Sequence, residues 1–217
     1  MQNIISVNKK TTIFDQIKAL WAIVENLRKT DKLDTKHVMH YLHYNTSTEN
    51  LEATDGRRAM TVHFPMKDYG IEAEAFFVFD KAGFLSAVDN AGYFPAIERV
   101  MPDIKVATEH RSYVHAVDIK ALDLNDKYAL ADYEICSILG SKGVKVNGLY
   151  IRDLKDILNC FDVLTWPENA GKSVLNGPVY FYNEEKTLRF VVMPICSDKW
   201  AESSYLLKDG HKNEAAA

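Results

Sequence analysis

The chain has 217 residues, 47% of them hydrophobic, and a formal net charge of −4. That is apolar material for one large domain or two small ones with a real core. It excludes a global basic field for nucleic acid, so any DNA contact must use a local patch or enclosure. No run approaches the ~18 apolar residues of a membrane span, and the N-terminus lacks the basic-then-apolar pattern of a signal peptide. Three widely spaced cysteines, Cys136, Cys160 and Cys196, contain no C-x-x-C. They read as reduced thiols of a cytoplasmic protein, and no cofactor or metal site is expected from them.

In chain order, residues 2–8 predict a short strand. Thr11 or Thr12 then caps a helix, with Asp15 in its first turn. Ile13, Ile17, Leu20, Val24 and Leu27 repeat at four, three, four and three, an amphipathic stripe that predicts a helix to Lys29. Lys18, Glu25, Arg28 and Lys29 take its other side. Residues 37–45 and 50–64 predict strands. His37, His40 and His43 do not make a metal site, because in a strand 40 points away from 37 and 43. They are expected as surface or edge residues.

Within 50–64, Thr54-Asp-Gly-Arg-Arg58 is a turn between two strands. Gly tolerates positive φ, and Asp bonds its own downstream backbone. Residues 74–80 predict an apolar strand, and Asp80 is expected to cap a helix over 81–90. Gly92–Pro102, with prolines at 95 and 102, reads as an ordered linker. Residues 106–121 suggest strand, and 122–140 stay open between strand and short helix. Residues 143–150 predict a strand leading into a helix over 151–161, with Leu154, Ile157, Leu158 and Phe161 as its stripe. Trp166–Lys172 reads as a loop. Two strands over 173–182 and 186–195 flank the Asn183–Glu185 turn, and 198–217 is a polar tail. A strand, a helix and a run of strands thus recur at 2–64, 74–120 and 143–195. This is an α+β pattern with antiparallel sheet and helices on one face.

Five stretches, in order, resemble the bacterial DNA polymerase III beta subunit, the DNA sliding-clamp family. Ala53-Thr-Asp-Gly-Arg-Arg58 stands where the family has an ATDGHR-like turn. Phe76–Lys81 resembles its IVPRK-type helix start. Gly92-Tyr-Phe-Pro-Ala-Ile-Glu-Arg-Val-Met-Pro102 resembles its G-FPDYRRV-P segment. Residues 144–158 resemble its NVNYLLDVL-type strand and helix, and Phe190-Val-Val-Met-Pro-Ile-Cys196 its YVVMPMR-like end.

The resemblance implies a clamp-like fold with unit 1–103 similar to the family's second domain and a reduced unit 104–197 similar to its third. It implies a non-enzymatic processivity factor of DNA replication or repair. Its partners would be DNA polymerase or other proteins with clamp-binding motifs, and duplex DNA without sequence specificity. It also implies a homo-oligomeric ring, here a trimer of two-domain protomers. Carried over residue by residue, the peptide pocket is lined by Thr54, Gly56, Arg57, Arg58 and Met60, by Pro95, Arg99 and Val100, and by Val191, Val192, Met193, Pro194 and Ile195. The DNA-facing cations are Lys18, Arg28, Lys29, Lys81, Arg152 and Lys155. The chain departs from the family at Arg57, where a histidine is usual, and at Cys196, where an arginine is. Few basic groups on the hole-lining helices mean weak phosphate attraction. A clamp-fold interaction module that does not encircle DNA is therefore the alternative. Asp55, Asp80 and Glu52 have no nuclease spacing, and no P-loop or GxGxxG is present.

Overall fold

The computed structural model describes residues 4–30, 37–89, 92–101, 111–115, 135–136, 146–167 and 178–193. Helix α1 spans Thr12–Thr30, close to its expected bounds. Its Ile17, Leu20, Ile23 and Val24 are completely buried. Each such side chain contributes about 1.5–3 kcal/mol when removed from water. The stripe lies against strands β2 (Leu42–Asn45), β3 (Asn50–Thr54), β4 (Arg58–His63) and β5 (Ala75–Phe79).

The other strands are β1 (Ile4–Ser6), β6 (Phe84–Val88), β7 (Arg111–His115), β8 (Ile135–Cys136), β9 (Val146–Asn147), β10 (Val163–Pro167), β11 (Val179–Tyr182) and β12 (Leu188–Val192). Among the described residues, ten of the strands form one sheet in the order β1-β6-β5-β2-β3-β4-β12-β11-β10-β7, and β8 pairs with β9 apart from it. Every pairing in the sheet is antiparallel. The sheet passes from the first half of the chain to the second at β4–β12, where Arg58 stands opposite Val192 and Val62 opposite Leu188.

Strand alternation divides the side chains between two faces. On the α1 face, Leu42, Leu51, Met60, Phe190 and Val192 join α1 in the main core, together with Ile151, Leu154, Ile157, Leu158 and Phe161. On the opposite face, Ala59, Phe76, Tyr180 and Val191 are covered by Phe94, Ile97 and Met101. Residues 92–101 therefore form a strap across the sheet.

Five expectations are corrected. Residues 81–90 do not form a helix. Gly83 adopts φ +96, Asp80 Oδ1 accepts from Phe84 N at 2.9 Å, and the chain turns straight into β6. Phe84–Val88 instead pairs as a strand between β1 and β5. The expected repeat therefore lacks its second helix. The strand expected over 37–45 is shortened to β2 because Val38–His40 is a 3-10 turn, with His37 Nδ1 accepting from Met39 N. His40 and His43 are buried rather than at the surface. Residues 151–161 are not one helix. Helix α2 covers Gly148–Arg152, capped by Asn147, and turns carry the chain on, although the predicted apolar stripe is buried. Trp166 and Pro167 belong to β10, paired to β7. The tail at 198–217 and the loop at 168–172 lie outside the described residues.

A Cβ at Gly83 would stand 2.9 Å from the Val7 carbonyl oxygen and 3.2 Å from the Phe14 ring, with φ already left-handed. Gly83→Ala is expected to destabilise the fold by about 1–3 kcal/mol in urea titration, far more than Ala substitution at an ordinary exposed turn position.

Candidate functional site

The turn between β3 and β4 is built from its own side chains. Asp55 Oδ1 accepts from Arg57 N and Arg58 N, both at 3.0 Å. Thr54 Oγ1 donates to Arg58 O at 2.8 Å and accepts from Gly56 N at 3.1 Å. Gly56 sits at φ +79. Beyond the turn, Arg57 O accepts from Met193 N at 2.8 Å. This bond sets the end of the last strand beside the turn.

The two arginines of the turn have opposite fates. Arg57 is exposed. The neighbouring Tyr150 hydroxyl raises the already high pKa of Arg57. The Arg58 side chain is 1% exposed. Its Nε donates to Asp55 Oδ2 at 2.9 Å and its Nη1 to Asp153 Oδ2 at 2.7 Å. The guanidinium carbon lies 4.4 Å from the Tyr150 ring centre. Nη2 has no hydrogen-bond acceptor, and the aromatic face offsets part of that loss. Asn26 of α1 also donates to Asp153 Oδ2, at 2.7 Å. Arg58 thus binds the turn to α2 and α1 and is withheld from solvent.

The other expected pocket residues divide by face. Met60 and Val192 are fully buried in the main core on the α1 face, so they do not line a surface groove. Arg58 is likewise corrected, from a peptide-holding donor to a buried ion pair. Val191 is on the strap face and 3% exposed. Val100 and Met193 are 51% and 46% exposed. Pro95 and Arg99 are exposed on the strap, and Thr54 is buried at the turn. Pro194 and Ile195 lie outside the described residues.

The expected DNA-facing cations belong mostly to α1 and the 148–156 segment, which share one face. Lys18 Nζ is 2.7 Å from Asp156 Oδ2, and this hydrogen bond raises the Lys18 pKa. Lys29 is 3.7 Å from Glu25. Arg28 lies over the Trp21 ring at 5.7 Å. Arg152 and Lys155 are exposed. Lys81 is on the β5–β6 turn rather than on a helix.

Sequence reading missed Tyr150, Asp153, Asn26, Glu98 and Arg189. The spacing of three from Asn147 to Tyr150 to Asp153 was the available signal, since residues three apart share one side of a helical turn. Arg189 donates to both oxygens of Glu98 on the strap, through Nη1 at 3.0 Å and through Nη2, and its Nε donates to Thr61 Oγ1 at 3.1 Å.

The buried pair predicts a clear asymmetry. Arg58→Ala strands Asp55 and Asp153 and is expected to cost about 3–5 kcal/mol in chemical denaturation. Arg57→Ala is expected to stay within about 0.5 kcal/mol of wild type.

Among the described residues no helix is long and apolar enough to cross a membrane, and no group of His, Cys, Asp or Glu is placed to hold a metal ion. No family model and no curated protein sequence matches the chain. Solved structures do. The beta sliding clamp of C. crescentus aligns with a TM-score of 0.50 at 11% identity, over 90% of this chain and 66% of that one. The Helicobacter pylori beta clamp in complex with 3,4-difluorobenzamide gives 0.49 at 13% identity, over 91% and 67%. The H. pylori beta clamp bound to a DNA ligase peptide gives 0.47 at 13%, over 90% and 66%. The chain spans about two-thirds of the length of these clamps. At such identity the likeness is one of fold: the protein has the clamp-like α+β architecture of bacterial beta sliding clamps.

Proposed function

We propose that the protein is a sliding-clamp-like accessory of DNA replication or repair, without catalytic activity, that tethers partner proteins to duplex DNA. Residues 1–103 and 104–197 act as two clamp units joined through the β4–β12 ladder. Partners, such as a DNA polymerase, dock a short peptide at the end of that ladder. The observation that carries the reading is the Met193 N to Arg57 O bond at 2.8 Å, which brings two sequence-distant stretches together beside the strap. The exposed part of the site comprises Gly56, Arg57, Pro95, Arg99, Val100 and Met193, with buried Thr54 and Val191 supporting it from beneath and Pro194 and Ile195 following in sequence. Exposed Val100 and Met193 supply apolar contact, and Met adapts to differing ligands. Arg57 and Arg99 supply donors for peptide carbonyls and carboxylates.

A specific observation favours a second reading, a clamp-fold interaction module that does not encircle DNA. Lys18 and Lys29 each lie against an acid, and Asp153 and Asp156 share their face. Counterion release scales with the number of phosphates neutralised, so this surface binds DNA weakly on charge alone. Enclosure in a ring removes the need for strong contacts, which is why topology rather than affinity separates the two readings.

A short peptide combining acidic and large apolar residues is expected to bind, with Met193→Ala weakening it about tenfold. No binding by the wild-type chain in calorimetry refutes the site. A ring-forming clamp stays on circular duplex and is lost after linearisation. Equal retention on both forms would leave the module reading standing and remove encirclement.

A further inference from the structure

The strap rests on a transverse row of paired side chains. From β5 to β11, the residues opposite one another are Phe76, His43, Glu52, Thr61, Arg189 and Tyr182. Alternation puts this row on the strap face, opposite α1. The strap touches the row at two places. At one, the Phe94 ring stacks on the His43 ring, with centroids 4.5 Å apart and planes 18° apart. At the other, Glu98 takes the two-pronged contact of Arg189.

Both anchor points are themselves fixed from below. His43 Nδ1 lies 3.1 Å from Glu52 Oε2, and Asn45 Nδ2 donates to Glu52 Oε1 at 3.2 Å. The His43 and Glu52 side chains are 7% and 2% exposed. Arg189 is 16% exposed and held by Thr61. Between and beyond the anchors the strap carries Pro95, Arg99 and Val100, all exposed. Its only described backbone bonds are the local turn from Ala96 and Ile97 to residues 99–101. Among the described residues no strand ladder holds it, and these side-chain anchors together with the burial of Phe94, Ile97 and Met101 hold its position.

We propose that His43 and Arg189 are positioning residues of the peptide site, fastening the strap at its two ends so that Pro95, Arg99 and Val100 stand at a fixed distance from Met193. This rests on the peptide site proposed above. A bidentate guanidinium–carboxylate contact fixes orientation as well as distance, which a lysine at 189 would not do. The His43 ring adds a flat stacking surface that an aliphatic residue lacks.

The test uses the full chain and two readouts: hydrogen exchange at the amides of Arg99, Val100 and Met101, and affinity for the same acidic–apolar peptide. Arg189→Gln and His43→Gln are each expected to speed exchange at these amides about tenfold, and to weaken the peptide by a similar factor. Glutamine retains a donor to Thr61 or Glu52, so neither variant leaves its buried neighbour without a partner. The charge exchange Glu98→Arg with Arg189→Glu is expected to recover both readouts. Unchanged strap exchange in the single variants overturns the proposal. Faster exchange with unaltered peptide affinity also overturns it, while the peptide site stands. A wild-type chain that binds no peptide removes the site, and the positioning role with it.

Discussion

One buried guanidinium fixes how the two halves of this molecule meet. Arg58 opens β4 at the point where the sheet crosses into the second half of the chain. Its ladder partner Val192 comes from the last described strand, and its charge partner Asp153 from the segment after α2. A buried charge without a partner costs several kcal/mol, and two carboxylates left behind cost more. The hydrophobic core alone tolerates a shift of β12 against β4 by two residues, since the same face stays inward. The ion pair fixes a different junction, holding the segment after α2 to β4 and its turn, because Arg58 must reach Asp55 and Asp153 at once. Stability here comes from the apolar layer, and the β12–β4 register is accompanied by its own polar contacts, Met193 N to Arg57 O and Arg189 Nε to Thr61 Oγ1.

The register in turn decides what appears on the other face. With Arg58 opposite Val192, Ala59 faces Val191 and Thr61 faces Arg189. The first pair makes an apolar floor for Ile97 and Met101, and the second begins the polar row on which Glu98 lands. A one-residue slip would turn Arg189 into the core and present Phe190 to the strap. The strap, the exposed pair Val100 and Met193, and the turn arginine Arg57 are therefore consequences of one alignment. Polar groups buried along the row are tolerated because they satisfy one another: His43 with Glu52, Asn45 with Glu52, Thr61 with Arg189.

How much of this was legible depended on whether the signal was local. The α1 stripe and the Asp-Gly turn are local patterns, and their elements lie where spacing put them. The β5–β6 turn was misread because Asp80 is a good helix cap and an equally good turn residue. Positive φ at Gly83 decides between the two, and sequence does not display φ. Assigning Met60 and Val192 to a surface cleft followed the resemblance and ignored alternation. Counting by twos from Leu188 and Phe190 puts Val192 on the core face, and counting from Val62 puts Met60 there. Arg58 was harder. Adjacent arginines look equivalent in a string, and only the arrival of Asp153 from far downstream separates a buried arginine from an exposed one. The Glu98–Arg189 contact is of the same kind, long-range and invisible to periodicity.

The two faces also bear on how tethering would work. In the proposed function, a peptide sits at the strap face while the α1 and α2 cations look the other way. Ligands on opposite faces of one sheet do not exclude each other sterically, which tethering requires. The charge on the α1 face is largely cancelled internally, by Lys18 with Asp156 and Lys29 with Glu25. Under the proposed function such a surface would attract phosphate weakly, so retention on DNA would have to come from enclosure rather than from charge. Paired cations of this kind suit a module that binds partners without gripping DNA, and they are compatible with a ring only because enclosure would replace affinity.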